Sequence, residues 1–174
     1  TTPRTGESLD IGVDGRGKMG GNMRTRLRNG GLNVVGFDHD QSLSDVATLA
    51  DLVQALPAPR VVWVMVPHGE PTNATIVELS ELLDKGDLVV DGGNSRWTDD
   101  EIHAELLAKK SIGFVDCGVS GGVWGLENGY ALMAGGSAED IAKVQPAFDA
   151  LRPDAQNGFV HAGRVGAGHF SKMV

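Results

Sequence analysis

The stretch IGVDGRGKMG, Ile11 to Gly20, decides the fold. Its first residues read as a strand, and Gly15, Gly17 and Gly20 then fall in G-x-G-x-x-G spacing ahead of a helical period from about Met19 to Asn29. In such a strand, turn and helix, Gly15 permits the tight turn, Gly17 lets the backbone approach a pyrophosphate, and Gly20 lets the helix pack on the strand. The helix amino terminus, with its unpaired N–H groups, faces the anion. Gly15, Arg16, Gly17, Lys18, Met19 and Gly20 are therefore candidate contacts of a dinucleotide. The plainer alternative, a glycine-rich turn without a ligand, is disfavoured by strand, spacing and helix occurring together.

Outward from this turn, short apolar runs alternate with segments of helical period. Strands are expected near Leu9–Val13, Val34–Phe37, Val61–Val66, Leu88–Val90, Phe114–Cys117 and Tyr130–Met133. Helices are expected from Met19 to Asn29, closed by Gly30-Gly31, and from Thr72 to Leu83, with Gly86 just beyond. Thr98 with Glu101, and Ser137 with Asp140, have capping-box spacing ahead of helices ending near Lys110 and Ala150. The alternation implies right-handed βαβ crossovers and an α/β fold: a Rossmann-type, doubly wound, mostly parallel sheet with helices on both faces. One dinucleotide-binding domain is expected over 9–168, after a flexible polar lead-in over 1–8. The first turns of a further helix are expected at 169–174.

A chain of 174 residues can bury roughly two-thirds of its unfolded surface and needs no disulfide to fold. Its single cysteine, Cys117, excludes an intramolecular disulfide framework and suits a reducing, cytoplasmic setting. The net charge of -8 disfavours nucleic acid and anionic membrane as partners, so an anionic substrate needs a local site. No apolar run reaches the roughly 18 residues that cross a bilayer.

Asp38 ends the second strand, roughly 20 residues past the glycine turn, where a carboxylate accepts hydrogen bonds from ribose hydroxyls and repels a 2′-phosphate. His39 and Asp40 bring no arginine to neutralise one, so NAD is favoured, with NADP still open. Alternatively Asp38 is a solvated strand-end charge. Val66 and Pro67 are expected to border the cofactor groove. DGGNS (Asp91–Ser95) and GVSGG (Gly118–Gly122) each follow a strand, where open parallel sheets hold their ligands. Their paired glycines clear the approach, while Asn94 and Ser120 offer donors and acceptors for hydroxyls or a carboxylate. Tight turns without a ligand are the plainer reading. Arg16 lies along the pyrophosphate or points into water, and Asp14 puts a charge where such turns are usually apolar.

GRGKMGGNM (Gly15–Met23), VMVPHGEPT (Val64–Thr72), DGGNS with Arg96 and Trp97, GVSGGVWGLENGY (Gly118–Tyr130) and GRVGAGHFSKMV (Gly163–Val174) together resemble the 6-phosphogluconate dehydrogenases in their shorter bacterial form. The resemblance, within the wider β-hydroxyacid dehydrogenase superfamily, runs from about Leu9 to the end. It implies oxidation of 6-phosphogluconate at C3, loss of CO2 from the β-keto acid, and release of ribulose 5-phosphate with reduced nicotinamide. It puts Asn94, Ser120, Gly121 and Gly122 at substrate contacts, and Lys172 as the base that takes the 3-hydroxyl proton. That role needs a neutral amine near pH 7, hence a lowered pKa; otherwise Lys172 reads as an ordinary surface lysine. Relatives acting on 3-hydroxyisobutyrate usually carry Asp, a small residue, then Ser-Thr in place of DGGNS. The family pattern continues past the lysine with His-Asn-Gly-Ile-Glu-Tyr, then a helical domain holding the dimer interface and much of the phosphate site. The expectation is accordingly a separated or truncated cofactor domain, inactive alone, whose full-length form is a homo-oligomer.

His169 shares a helical face with Lys172 and either depresses its pKa or, the preferred reading, makes a structural hydrogen bond. Cys117 is expected to be an apolar filler under the VSGG loop. No histidine pair has metal-ligand spacing, so no metal is expected. Trp124 covers the active site or a subunit surface. A nucleotide sensor would need the glycine turn but not Asn94, Ser120 and Lys172 together. A dehydrogenase of another small 3-hydroxy acid would share every step but the substrate.

Overall fold

The structure, a computed structural model, describes residues 9–15 and 17–174; the expected lead-in over 1–8 and Arg16 lie outside the described residues. The apolar runs and helical periods resolve into β1 (Asp10–Gly15), α1 (Gly17–Asn29), β2 (Asn33–Phe37), α2 (Leu49–Gln54), β3 (Val61–Met65), α3 (Glu70–Leu82) and β4 (Leu88–Asp91). They continue through α4 (Trp97–Ala108), β5 (Gly113–Ser120), α5 (Gly125–Asn128), β6 (Ala131–Gly135), α6 (Ala138–Leu151), β7 (Phe159–Gly163) and α7 (Ala167–Met173). The strands form one sheet in the order β2-β1-β3-β4-β5-β6-β7. Neighbours are parallel except β5 and β6, which run antiparallel.

Side chains alternate across this sheet with period two. Ile11, Val13, Trp63, Val90 and Val115 meet Met23 and Leu27 of α1 and Phe148 of α6 in one apolar layer. Val62, Val64, Val89 and Phe114 meet Leu52 of α2, Leu79 of α3 and Leu107 of α4 in the other. Burying each of these aliphatic or phenyl side chains contributes roughly 1.5–3 kcal/mol, so near-continuous apolar strands are stable only between two helical layers. The fold is the doubly wound, Rossmann-type arrangement expected. Among the described residues no helix is long and apolar enough to cross a membrane.

From β1 the chain steps to β2 on one side, then crosses back through α2 to β3 on the other. This reversal opens a crevice at the carboxyl ends of β1 and β3, where Gly15 pairs with Met65. Close packing at the opening requires glycine: a Cβ on Gly20 would come 3.0 Å from Gly15 Cα.

Some expected elements need correction. α4 is capped by Arg96 without a side-chain bond, so Thr98 lies inside the first turn and forms no box with Glu101. The Ser137 cap does form, its Oγ accepting from Asp140 N at 3.1 Å. β7 lacks an apolar run because Val160 and His161 face solvent on the sheet edge. α2, too short for a clear period, is capped by Thr48. α7 begins at Ala167 rather than His169, with Gly168 inside it, because the helix lies directly on the backbone of Met133 and Asp116.

Candidate active site

A crevice of about 570 Å³ lies across the carboxyl ends of β3, β4 and β5 and the first turn of α1. α1 contributes Met19 and Gly20, and the loop after β3 contributes Val66, Pro67 and His68. The loop after β4 adds Gly92, Gly93 and Asn94; Ser120, Gly121 and Gly122 come from the end of β5, and Lys172 reaches in from α7. The three sequence-distant motifs therefore meet in one place. The DGGNS loop lies against the β3 loop so tightly that a Cβ on Gly93 would be 2.8 Å from the Val66 carbonyl oxygen.

At the α1 end, Gly17 has φ +75°, and among the described residues, its chain neighbours aside, nothing lies within 4 Å of where its Cβ would stand. Gly17 and Lys18, at the start of the helix, are both exposed. Asp38 is buried just after β2; its Oδ1 accepts from Asp40 N at 2.9 Å. Its buried Oδ2 has no hydrogen-bond donor among the described residues.

At the other end, Lys172 Nζ donates to Asn94 Oδ1 at 2.5 Å. Partial burial holds the lysine below the usual ammonium range. Cys117 is fully buried and its thiol is pushed far above the ordinary range by burial, so it is the inert core group expected. Ser120 is exposed at the end of β5 on the crevice wall, and Trp124 is exposed nearby in sequence.

A protein-family profile described as the NAD binding domain of 6-phosphogluconate dehydrogenase matches residues 10–158. The chain belongs to this family. An NAD(+)-dependent, decarboxylating 6-phosphogluconate dehydrogenase of Bacillus subtilis is 36% identical over 179 residues, covering 94% of this chain and 38% of that relative. One from Haloferax volcanii is 37% identical over 175 residues, covering 95% of this chain and 57% of its own length. In solved structures the 6-phosphogluconate dehydrogenase of Plasmodium falciparum, studied with NADP+ and with 6-phosphogluconate, superposes with TM-score 0.86 at 24% identity, over 95% of this chain and 39% of that one. A 3-hydroxyisobutyrate dehydrogenase of Mycobacterium tuberculosis gives 0.85 at 24% identity, over 95% and 58%. The chain thus spans between 38% and 58% of the length of these curated relatives and one further Bacillus subtilis relative.

Beneath the crevice, the NAD-binding domain holds a polar cluster that no spacing in the sequence signals. Asp91 accepts from Gly93 N at 3.0 Å and Ser95 Oγ at 2.6 Å. Asp116 accepts from Gly166 N at 2.7 Å and His169 N at 2.9 Å. His169 Nδ1 lies 2.6 Å from Asp100 Oδ2, the structural hydrogen bond expected of this histidine. Ligand-capable atoms of Asp91, Asp100 and His169 lie within 4.8 Å of one another. Burial pushes Asp100 up to about 7 against the pull of His169, and burial raises Asp116 as well. Burial pulls His169 down, but its bond to Asp100 and the charges of Asp100, Asp91 and Asp116 outweigh this and raise it. The one available hint is Asp116 itself, a carboxylate inside the apolar run FVDCGV, where burial is costly unless hydrogen bonds satisfy it.

Proposed function

We propose that this chain is the nucleotide-binding and proton-abstracting part of a decarboxylating 6-phosphogluconate dehydrogenase that prefers NAD. The observation that carries the reading is the Lys172–Asn94 hydrogen bond of 2.5 Å, inside the crevice that Ser120 also lines. A nicotinamide dinucleotide, when bound, accepts a hydride. The exposed helix start at Gly17 suits its pyrophosphate, the Asp38 Oδ2, which has no donor among the described residues, suits its ribose, and the Asp38 carboxylate disfavours a 2′-phosphate, leaving NADP the second choice.

In this reading neutral Lys172 takes the proton of the C3 hydroxyl on its Nζ lone pair as hydride leaves C3. Its lowered pKa enlarges the neutral fraction. Asn94 fixes the amine, while Ser120 and the backbone at Gly121 and Gly122 hold substrate hydroxyls or the carboxylate. Oxidation at C3 gives a β-keto acid. The C–C bond to the carboxylate breaks, CO2 leaves, and the electron pair forms an enolate that the Lys172 ammonium stabilises. Protonation of the enediol at carbon then yields ribulose 5-phosphate.

Among the described residues, Lys172 and His68 are the only basic side chains lining the crevice. That is too little positive charge for a phosphate and a carboxylate together, so the phosphate is held by a segment corresponding to the remaining length of the relatives. The 174-residue chain by itself binds nucleotide with negligible turnover.

Calorimetry with NAD and NADP, paired with rate assays on 6-phosphogluconate and 3-hydroxyisobutyrate, tests this. NAD should bind more tightly, and turnover should reach the enzyme range of roughly 1–1,000 per second only in a chain extended to its relatives' length. Failure to bind either nucleotide, or a preference for 3-hydroxyisobutyrate, overturns the reading.

A further inference from the structure

We infer that the buried His169–Asp100 pair is a positioning element for Lys172. With Asp91 and Asp116 it ties the loop carrying Asn94 and the helix carrying Lys172 to one polar knot beneath the crevice. The inference rests on the role of Lys172 as the base proposed above.

α7 cannot seat itself. It has seven residues, its cap Gly166 offers no side-chain bond, and a helix this short has little stability of its own. Its N–H groups at Gly166 and His169 are taken instead by the two oxygens of Asp116. The His169 ring, 2% exposed, is held through Nδ1 by Asp100. Its Nε2 has no hydrogen-bond partner among the described residues, so this bond is what anchors the ring there. Lys172 follows one turn later on the same helical face. On the opposite side, Asp91 orders the Asn94 loop through Gly93 N and Ser95 Oγ. Both partners of the Lys172–Asn94 contact therefore depend on carboxylates gathered about one imidazole.

The knot is more than packing. Buried carboxylates this close favour a shared proton or a cation among them, and the His169 ring, bonded to Asp100, is placed to carry it. The titratable groups facing the ring are Asp100 and His103 from α4, Asp91 from β4 and Asp116 from β5; Asp99 lies beside His103. A change of charge at the ring alters the seat of α7, and through it the reach of Lys172.

The test is the titration of the Lys172 amine, followed by carbon-13 NMR in the 174-residue chain without nucleotide or sugar acid. In the wild type this lysine should titrate below the ordinary lysine range. Asp100→Asn and His169→Ala should move its midpoint up toward that ordinary range and abolish the contact with Asn94. His169→Gln, which can still donate to Asp100, should restore part of the shift. A purely structural role would lower thermal stability and leave the lysine midpoint in place, and that result overturns the inference. Should both disruptive variants fail to fold, the wild type decides: the Lys172 signal must step as the His169 ring titrates, and a flat response overturns the inference equally. The readout needs no ligand, so it fails separately from the proposed function, which falls if the folded wild type does not bind nucleotide.

Discussion

Gly118 and Lys172 are packed so closely that a Cβ at position 118 would lie 2.7 Å from Lys172 Cβ. The Gly168 carbonyl oxygen stands 3.1 Å from the same point, so the added methyl would meet the backbone of α7 as well as a side chain. Gly118→Ala should therefore lift α7 from β5. Denaturant unfolding should show a loss of about 1–3 kcal/mol, the usual cost of overpacking. If NAD is held by the α1 turn as proposed, its affinity should change little. An unaltered unfolding midpoint would mean that α7 is not held against β5.

Lys172→Ala should lower kcat by roughly 10²–10⁴-fold in a chain extended to the length of its relatives, the range that general-base catalysis supplies. NAD affinity should stay within about twofold if, as proposed, the lysine acts on the substrate and not on the nucleotide. Lys172→Arg should not rescue the rate, since a guanidinium has no neutral form near pH 7. Steady-state kinetics with calorimetric binding separates the two effects, and an intact rate in the alanine variant removes the lysine from its role.

Asp38→Ala should weaken NAD by about tenfold, the worth of roughly one charge-assisted hydrogen bond, and should strengthen NADP by removing a like charge from its 2′-phosphate. Calorimetric constants for both nucleotides in both proteins give the selectivity ratio. Equal losses for the two would show that Asp38 acts on β2 rather than on the ribose.

The sheet is legible where burial on both faces forces continuous apolar runs, as in Val61–Met65 and Leu88–Asp91. It is illegible at β7, whose edge position lets Val160 and His161 face water and breaks the run. α2 leaves only an indirect trace, the glycine at position 12 that lets Leu52 lie against β1. In the site, Gly20, Asn94 and Ser120 are readable because turn chemistry and loop position constrain them locally, whereas Lys172 takes meaning from the family resemblance. The pairing of His169 with Asp100, 69 residues apart, is set by how α4 and α7 pack on β5, which no local spacing encodes.

That pairing gives the stability of the chain a definite pH dependence. Asp100 keeps its proton up to about 7 in the folded protein against 3.8 for an ordinary carboxylate, and Asp116 and His169 are raised as well. From about pH 4 to 7 the folded chain therefore binds more of these protons than the unfolded chain, so stability falls as pH rises through that window. His103, lowered by burial, opposes this in part, because the unfolded chain takes up its proton below about 6.5 more readily than the folded one. Asp40 and Asp154 are lowered by their local hydrogen bonds and titrate below the window. Urea midpoints of the wild type should decline from about pH 4.5 to 7.5. Asp100→Asn cannot ionise, so its decline should be shallower, leaving only what Asp116 and His169 contribute. An equally steep decline in the variant would assign the titration to another group and detach Asp100 from the knot.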